Sequence, residues 1–191
     1  MRKFAFLFIA LFTCLTVQGQ TIEFDDYLDD SIKVYSTSSV ICRSLTDKMV
    51  LSVSLTKYTF RSSHDYYTIK LTVNTGEHCS IPKGGRVLIK TADDSVIELK
   101  SISDAESEIR TDIVSGIAIK TVQLVGDYVV SETDLQKMFK GVKKVRMEIL
   151  PTNYEKDFKK DKIGKALQAE YNLLKDKAFS EQRKSNFSEG F

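Results

Sequence analysis

Apolar and polar side chains alternate with a period of two along much of the chain. Met49, Leu51, Val53 and Leu55 interleave with Val50, Ser52, Ser54 and Thr56, and the run Tyr-Thr-Ile-Lys-Leu-Thr-Val at 67–73 repeats the pattern. Successive side chains of a strand point to opposite faces, so both segments predict strands with one side turned inward. The polar stretch 61–65 between them reads as a turn, and the two strands are expected to pair as a hairpin. A second hairpin is predicted from 86–91 and 96–100, joined by Asp93, Asp94 and Ser95. Links this short require antiparallel neighbours. Further strands are expected at 117–125 and 127–130, on either side of Gly126, with the acid-rich run 104–112 as an exposed excursion.

The period changes to that of a helix at two places. Ser131 and Asp134 mark a helix start, Leu135, Met138 and Phe139 share one side, and Gly141 is placed to stop it, predicting a helix near 132–140. Val142, Val145, Met147 and Ile149 then read as a last strand that Pro151 ends. From 161 to 179, Ile163, Leu167, Tyr171, Leu174 and Ala178 recur every three or four residues and predict a helix with one apolar stripe. Residues 21–32 mix acids with spaced apolar groups and are expected to form a short helix or a loosely docked arm. The fold class that follows is mainly β with a C-terminal helix, α+β being the near variant. Its core is an antiparallel β-sandwich or a strongly curved sheet, one domain over 20–180 with a flexible tail at 181–191.

The first 19 residues stand apart. Arg2 and Lys3 precede an apolar run at 4–11, and Val17, Gln18 and Gly19 offer small or permissive residues before Gln20. That is the pattern of a cleaved export signal, and the run is too short and too interrupted by Thr13, Thr16 and Gln18 to span a bilayer. A retained anchor is the competing reading. Cys14 adds a lipid-anchored outer-membrane form as a minor alternative, although Phe12 and Thr13 before it fit a lipidation signal poorly. The expected location is therefore exported, periplasmic or secreted. The formal charge of +2 comes from Arg2 and Lys3, so the exported part is neutral and has no global attraction for nucleic acid.

Cys42 and Cys79 are the only cysteines beyond the leader. In an oxidising compartment they either bridge or remain two buried thiols. Asp25, Asp26, Asp29 and Asp30 lack the glycine and terminal glutamate of a calcium loop and read as a solvated acidic face. His64 beside Asp65 has the residue types of an oriented base, and His78, Cys79 and Cys42, with His64 as a further donor, have those of zinc ligands. Neither set has the spacing its chemistry needs. Gly84 and Gly85 precede a strand rather than a helix, the wrong setting for a phosphate loop. No catalytic, cofactor-binding or metal-binding residue is therefore assigned, and no cofactor. Two surfaces are candidates for interaction. Tyr58, Tyr66 and Tyr67, with Phe60, could line a sugar-binding face of the first hairpin or close its core. Lys143, Lys144 and Arg146, with Lys137 and Lys140, could meet an anionic partner or form a solvated strand face.

The leader ending Gln-Gly-Gln, and the run Ser-Glu-Thr-Asp-Leu at 131–135 followed by Gly-Val-Lys-Lys-Val-Arg-Met-Glu at 141–148, resemble small exported uncharacterised proteins of Bacteroidetes-like bacteria. The resemblance covers these fragments, implies an envelope or secreted setting, and transfers no catalytic residue. The expected function is that of a non-enzymatic exported envelope protein that binds a protein or glycan partner reversibly. The alternatives are a hydrolase of cell-envelope polysaccharide or peptidoglycan, and a structural component of a surface assembly. No nucleic-acid partner and no membrane span in the exported part are expected.

Overall fold

The computed structural model describes residues 20–42, 50–114 and 117–180. The leader with Cys14, the position of Met49 and the tail 181–191 lie outside the described residues. Among the described residues the chain forms β1 (Ile22–Asp29), β2 (Ile32–Thr37), β3 (Val40–Ile41), β4 (Val50–Phe60), β5 (Tyr66–Thr75), β6 (Ser80–Ile81), β7 (Arg86–Thr91), β8 (Val96–Lys100), β9 (Ala105–Glu106), β10 (Glu108–Val114), β11 (Ile117–Val130), α1 (Glu132–Phe139), β12 (Val142–Met147), β13 (Tyr154–Asp157) and α2 (Ile163–Leu174). The fold is mainly β, with a strongly curved, half-barrel-like sheet and a C-terminal helix. Its main sheet is ordered β1-β2-β4-β5-β11-β10, with β3 continuing beside β4, and a second sheet is ordered β13-β12-β7-β8. Every paired neighbour is antiparallel, as the short links require.

The alternation read from the sequence separates the two faces of the main sheet. Leu51, Val53 and Leu55 of β4 oppose Val73, Leu71 and Ile69 of β5, and these oppose Leu124, Gly126 and Tyr128 of β11. All the side chains of this set, Gly126 having none, are buried. The apolar sides of α2 (Ile163, Ala166, Leu167, Leu174), α1 (Leu135, Met138) and the second sheet (Val87, Ile89, Val145, Met147) join them in one core. Gly164 lets the two helices touch, since a Cβ there would lie 2.3 Å from the Met138 carbonyl oxygen. Among the described residues no helix is long and apolar enough to cross a membrane.

Four expectations about the strands are corrected. Residues 21–32 are neither helix nor loose arm but the edge hairpin β1-β2. Asp29 closes its turn by accepting from the Ser31 N–H and hydroxyl, both at 2.7 Å, and Asp25 pairs with Lys33 at 3.0 Å. Charged side chains suit an edge strand, which explains acids where a strand was not expected. The 104–112 run likewise contains β9 and most of β10, the opposite edge, in register with β11 from Glu108 and Gln123 onward. Gly126 does not divide two strands. It lies inside the single strand β11, where a Cβ would fall 2.7 Å from the Tyr128 hydroxyl and the Ile81 side chain, so glycine makes room for a buried ring. Finally, β12 is not the last strand, because β13 follows Pro151.

The C-terminal helix stops at Leu174 rather than 179. Beyond it the buried Lys57 ammonium donates to the carbonyls of Lys175 and Lys177, and the Tyr35 hydroxyl donates to that of Ala178. Tyr27 donates to the Ser180 carbonyl. Carbonyls that would have continued the helix are thus held by the sheet, and residues 175–180 lie along it as a strap. Phe179 packs edge-on to Tyr27 at 6.2 Å.

Candidate functional site

The face of the main sheet opposite α2 is polar, and strand register makes it a grid. One row runs Phe24, Ser36, Thr56, Thr68 and Val129 across β1, β2, β4, β5 and β11. A second row runs Asp26, Val34, Tyr58 and Tyr66, and a third Ser54, Lys70 and Asp127. Small hydroxyl residues fill the centre and larger side chains stand on either side. The result is a hollow of about 470 Å³ lined by Glu23, Phe24, Val34, Ser36, Thr56, Tyr58, Lys70 and Asp127. Its floor is firm: Thr56 and Thr68 are buried, and the Ser36 and Thr56 hydroxyls are hydrogen-bonded at 2.9 Å.

One wall is aromatic. Tyr58 and Tyr66, directly opposed on β4 and β5, stack with ring centres 4.6 Å apart and planes 13° apart, and Phe60 leans on Tyr66 at 5.6 Å. Burial raises the Tyr58 hydroxyl pKa; Tyr66 and the Asp127 charge add to the rise, while the Thr68 hydroxyl opposes it. The other wall holds Lys70 and Asp127, opposed partners on β5 and β11. Among the described residues neither makes a side-chain hydrogen bond or a contact ion pair. Burial raises the Asp127 carboxyl above its ordinary value, and the nearby Lys70 charge pulls it back only in part.

The residues singled out in the sequence fall in different places. Tyr58 lines the hollow, and Tyr66 stacks against it without lining it. Tyr67 does not belong to this surface: it is buried on the opposite face, against Tyr171 of α2 at 5.6 Å and under the Lys57 ammonium at 5.8 Å. Lys143, Lys144 and Arg146 lie on the second sheet, outward as expected, but each is matched by acid. Lys143 shares Asp94 with Lys90 at 3.2 and 3.0 Å, and Lys144 and Arg146 share Glu155. Their surface is an ion-pair lattice rather than a free cationic patch.

His64 and His78 sit at opposite ends of β5, roughly 30 Å apart by the rise of a strand, so they form no common site. Asp65 turns from His64 to the Lys57 ammonium at 3.2 Å. His78 Nδ1 lies 3.0 Å from the Ser107 hydroxyl, which also accepts the Cys79 N–H at 2.9 Å, pinning one loop to another. Cys42 and Cys79 are buried free thiols, so the bridge is not formed. Burial, with the Glu170 carboxyl adding to it, pushes the Cys42 thiol up to about 12, far from the reactive thiolate range. Among the described residues no group of three His, Cys, Asp or Glu is placed to hold a metal ion.

Phe24, Ser36, Thr56, Lys70 and Asp127 were not singled out from the sequence. The available signal was the polar half of each alternating strand, which has meaning only once register aligns it. Glu170 was also passed over, although it stands inside the apolar stripe of α2. It is fully buried, and neither carboxyl oxygen has a hydrogen-bond partner. Compared with protein-family models, with curated proteins and with solved structures, the chain matches none of them.

Proposed function

We propose that this is an exported protein that works without catalysis, by reversible binding of a glycan in the hollow on the outer face of the main sheet. The observation that carries the reading is the pairing of a hydroxyl-floored hollow with an aromatic wall, Tyr58, which is backed by the stacked Tyr66. Aromatic faces cover the apolar side of a sugar ring, and hydroxyl and charged groups meet its polar edge. The sheet supplies a rigid support, because its other face is packed into the core. The leader at 1–19 supports the exported setting. A glycan is favoured over an anionic partner because the cations of the second sheet are already matched by Asp94 and Glu155.

The test is retention of the purified chain on immobilised cell-envelope glycans, with Tyr58→Ala and Tyr66→Ala beside it and product formation followed by mass spectrometry. Retention without product, weakened about tenfold or more by either substitution, equivalent to about 1.4 kcal/mol, supports the reading. Retention that ignores both tyrosines places the binding elsewhere, and turnover of the glycan would replace binding with hydrolysis.

A further inference from the structure

We infer that the hollow selects an uncharged sugar through a pair of adjacent free hydroxyls, read by Lys70 and Asp127 together. The inference rests on the glycan-binding reading above. A sugar hydroxyl both donates and accepts. A lysine donates only and an ionised carboxylate accepts only, so the two side by side complement two neighbouring hydroxyls, which accept hydrogen bonds from Lys70 and donate them to Asp127. Bonds of this kind to charged groups are about twice as strong as neutral ones.

Five other lysines of the main and second sheets show how a lysine beside a carboxylate is ordinarily placed. Lys33, Lys57, Lys90, Lys143 and Lys144 each contact a carboxylate at the surface or in the core. Lys70 directly opposes Asp127 across the strand pair and yet makes no hydrogen bond or contact ion pair with it, so donor and acceptor both keep open positions on one wall of the hollow. Flanking groups fix the rest of the pose. Tyr58 stands on the far side of the Thr56–Thr68 floor from this pair, so a ring resting against Tyr58 turns its polar edge toward Lys70 and Asp127.

Charge decides between sugar classes. The hollow holds two carboxylates, Glu23 and Asp127, against the single ammonium of Lys70. An acidic sugar would bring a third carboxylate to a site already short of positive charge, and like charges in proximity oppose binding. The site therefore fits a neutral hexose polymer rather than a uronic-acid polymer.

Linkage chemistry gives the experiment. In a hexose polymer joined through O4, each internal sugar keeps adjacent free hydroxyls at O2 and O3; in one joined through O3, no internal sugar keeps such a pair. Binding of the purified chain is measured by affinity electrophoresis to O4-linked glucans, mannans and galactans, to O3-linked glucans, and to O4-linked uronic-acid polymers. At least one neutral O4-linked polymer should bind tenfold or more tightly than the O3-linked and acidic ones, and periodate cleavage of its adjacent hydroxyls should abolish the binding. Lys70→Met and Asp127→Asn should each remove the preference while circular dichroism melting stays near that of the parent chain. Equal binding of O3-linked or acidic polymers, or a preference that survives both substitutions, overturns the diol reading while leaving glycan binding intact. Failure to bind any polymer overturns the glycan reading itself.

Discussion

Replacing Glu170 by glutamine should flatten the pH dependence of stability. The carboxyl sits on the buried side of α2 against β2 and β4, with no hydrogen-bond partner for either oxygen. Burial raises its pKa to about 8 from an ordinary 4.5; the Thr37 hydroxyl and Leu55 N–H pull the other way, but they are bonded to each other at 3.0 Å. Below pH 4.5 the group is protonated in both folded and unfolded chains and contributes no pH dependence. Between pH 4.5 and about 8 the unfolded chain loses this proton while the folded chain keeps it, so stability falls as pH rises. Each unit of pH is worth about 1.4 kcal/mol, giving a loss on the order of 5 kcal/mol across the window. Glutamine has no proton to lose. Its unmet hydrogen bonds contribute an offset that does not vary with pH, so the difference in slope carries the information. Urea unfolding of Glu170→Gln and the parent chain at intervals from pH 5 to 9 reads it directly. The stability difference should move in favour of the variant with rising pH and level off near pH 8. Curves that remain parallel would show that Glu170 ionises freely in the folded chain and would refute the reasoning.

Lys57→Met should release the strap at 175–180 by leaving the Lys175 and Lys177 carbonyls without their donor, lowering stability by about 1–3 kcal/mol. Trypsin should then cut after Lys175 or Lys177 in the folded variant sooner than in the parent, and unchanged cleavage would mean the strap is held by its other contacts. For the cysteines, thiol titration of the unreduced chain in denaturant should find both Cys42 and Cys79 free. Under native conditions Cys42 should resist alkylation, its thiol being held at about 12, and a missing thiol in denaturant would establish the bridge instead.

The strands most legible in the sequence are those that have one face in the core. Period-two alternation located β4, β5, β7 and β8 because Leu51, Ile69, Val87 and Leu99 each stand one residue away from a more polar neighbour turned to the other face. The two edges were missed for a related reason. β1 and β10 carry acids where central strands carry apolar groups, and what makes them strands is pairing with β2 and β11 rather than burial of their own side chains. The helix at 163–174 was legible as a stripe, but its end was not. Ala178 falls in phase with the stripe, while the carbonyls that could continue the helix are captured by Lys57 and Tyr35, residues more than a hundred positions earlier. A periodicity read along the chain contains no information about such a donor.

The hollow was hidden by the same alternation that revealed the strands. Once Leu55, Ile69 and Tyr128 are assigned to the core, Ser54, Thr56, Thr68, Lys70 and Asp127 are left over as the polar half of their strands, and polar positions on a sheet ordinarily mean solvent. Register changes their meaning. It sets Thr56 beside Thr68 and Ser36, Lys70 beside Asp127, and Tyr58 beside Tyr66. Small hydroxyl residues in the middle row lower the floor, and aromatic and charged residues in the outer rows raise the walls, so the shape of the hollow follows from side-chain size at matched positions. A one-residue slip of β5 against β4 would turn Lys70 and Thr68 inward and replace them on this face with Ile69 and Leu71. The apolar packing that fixes the register, Leu55 on Ile69 and Val53 on Leu71, therefore also fixes the site, although none of those residues touches it.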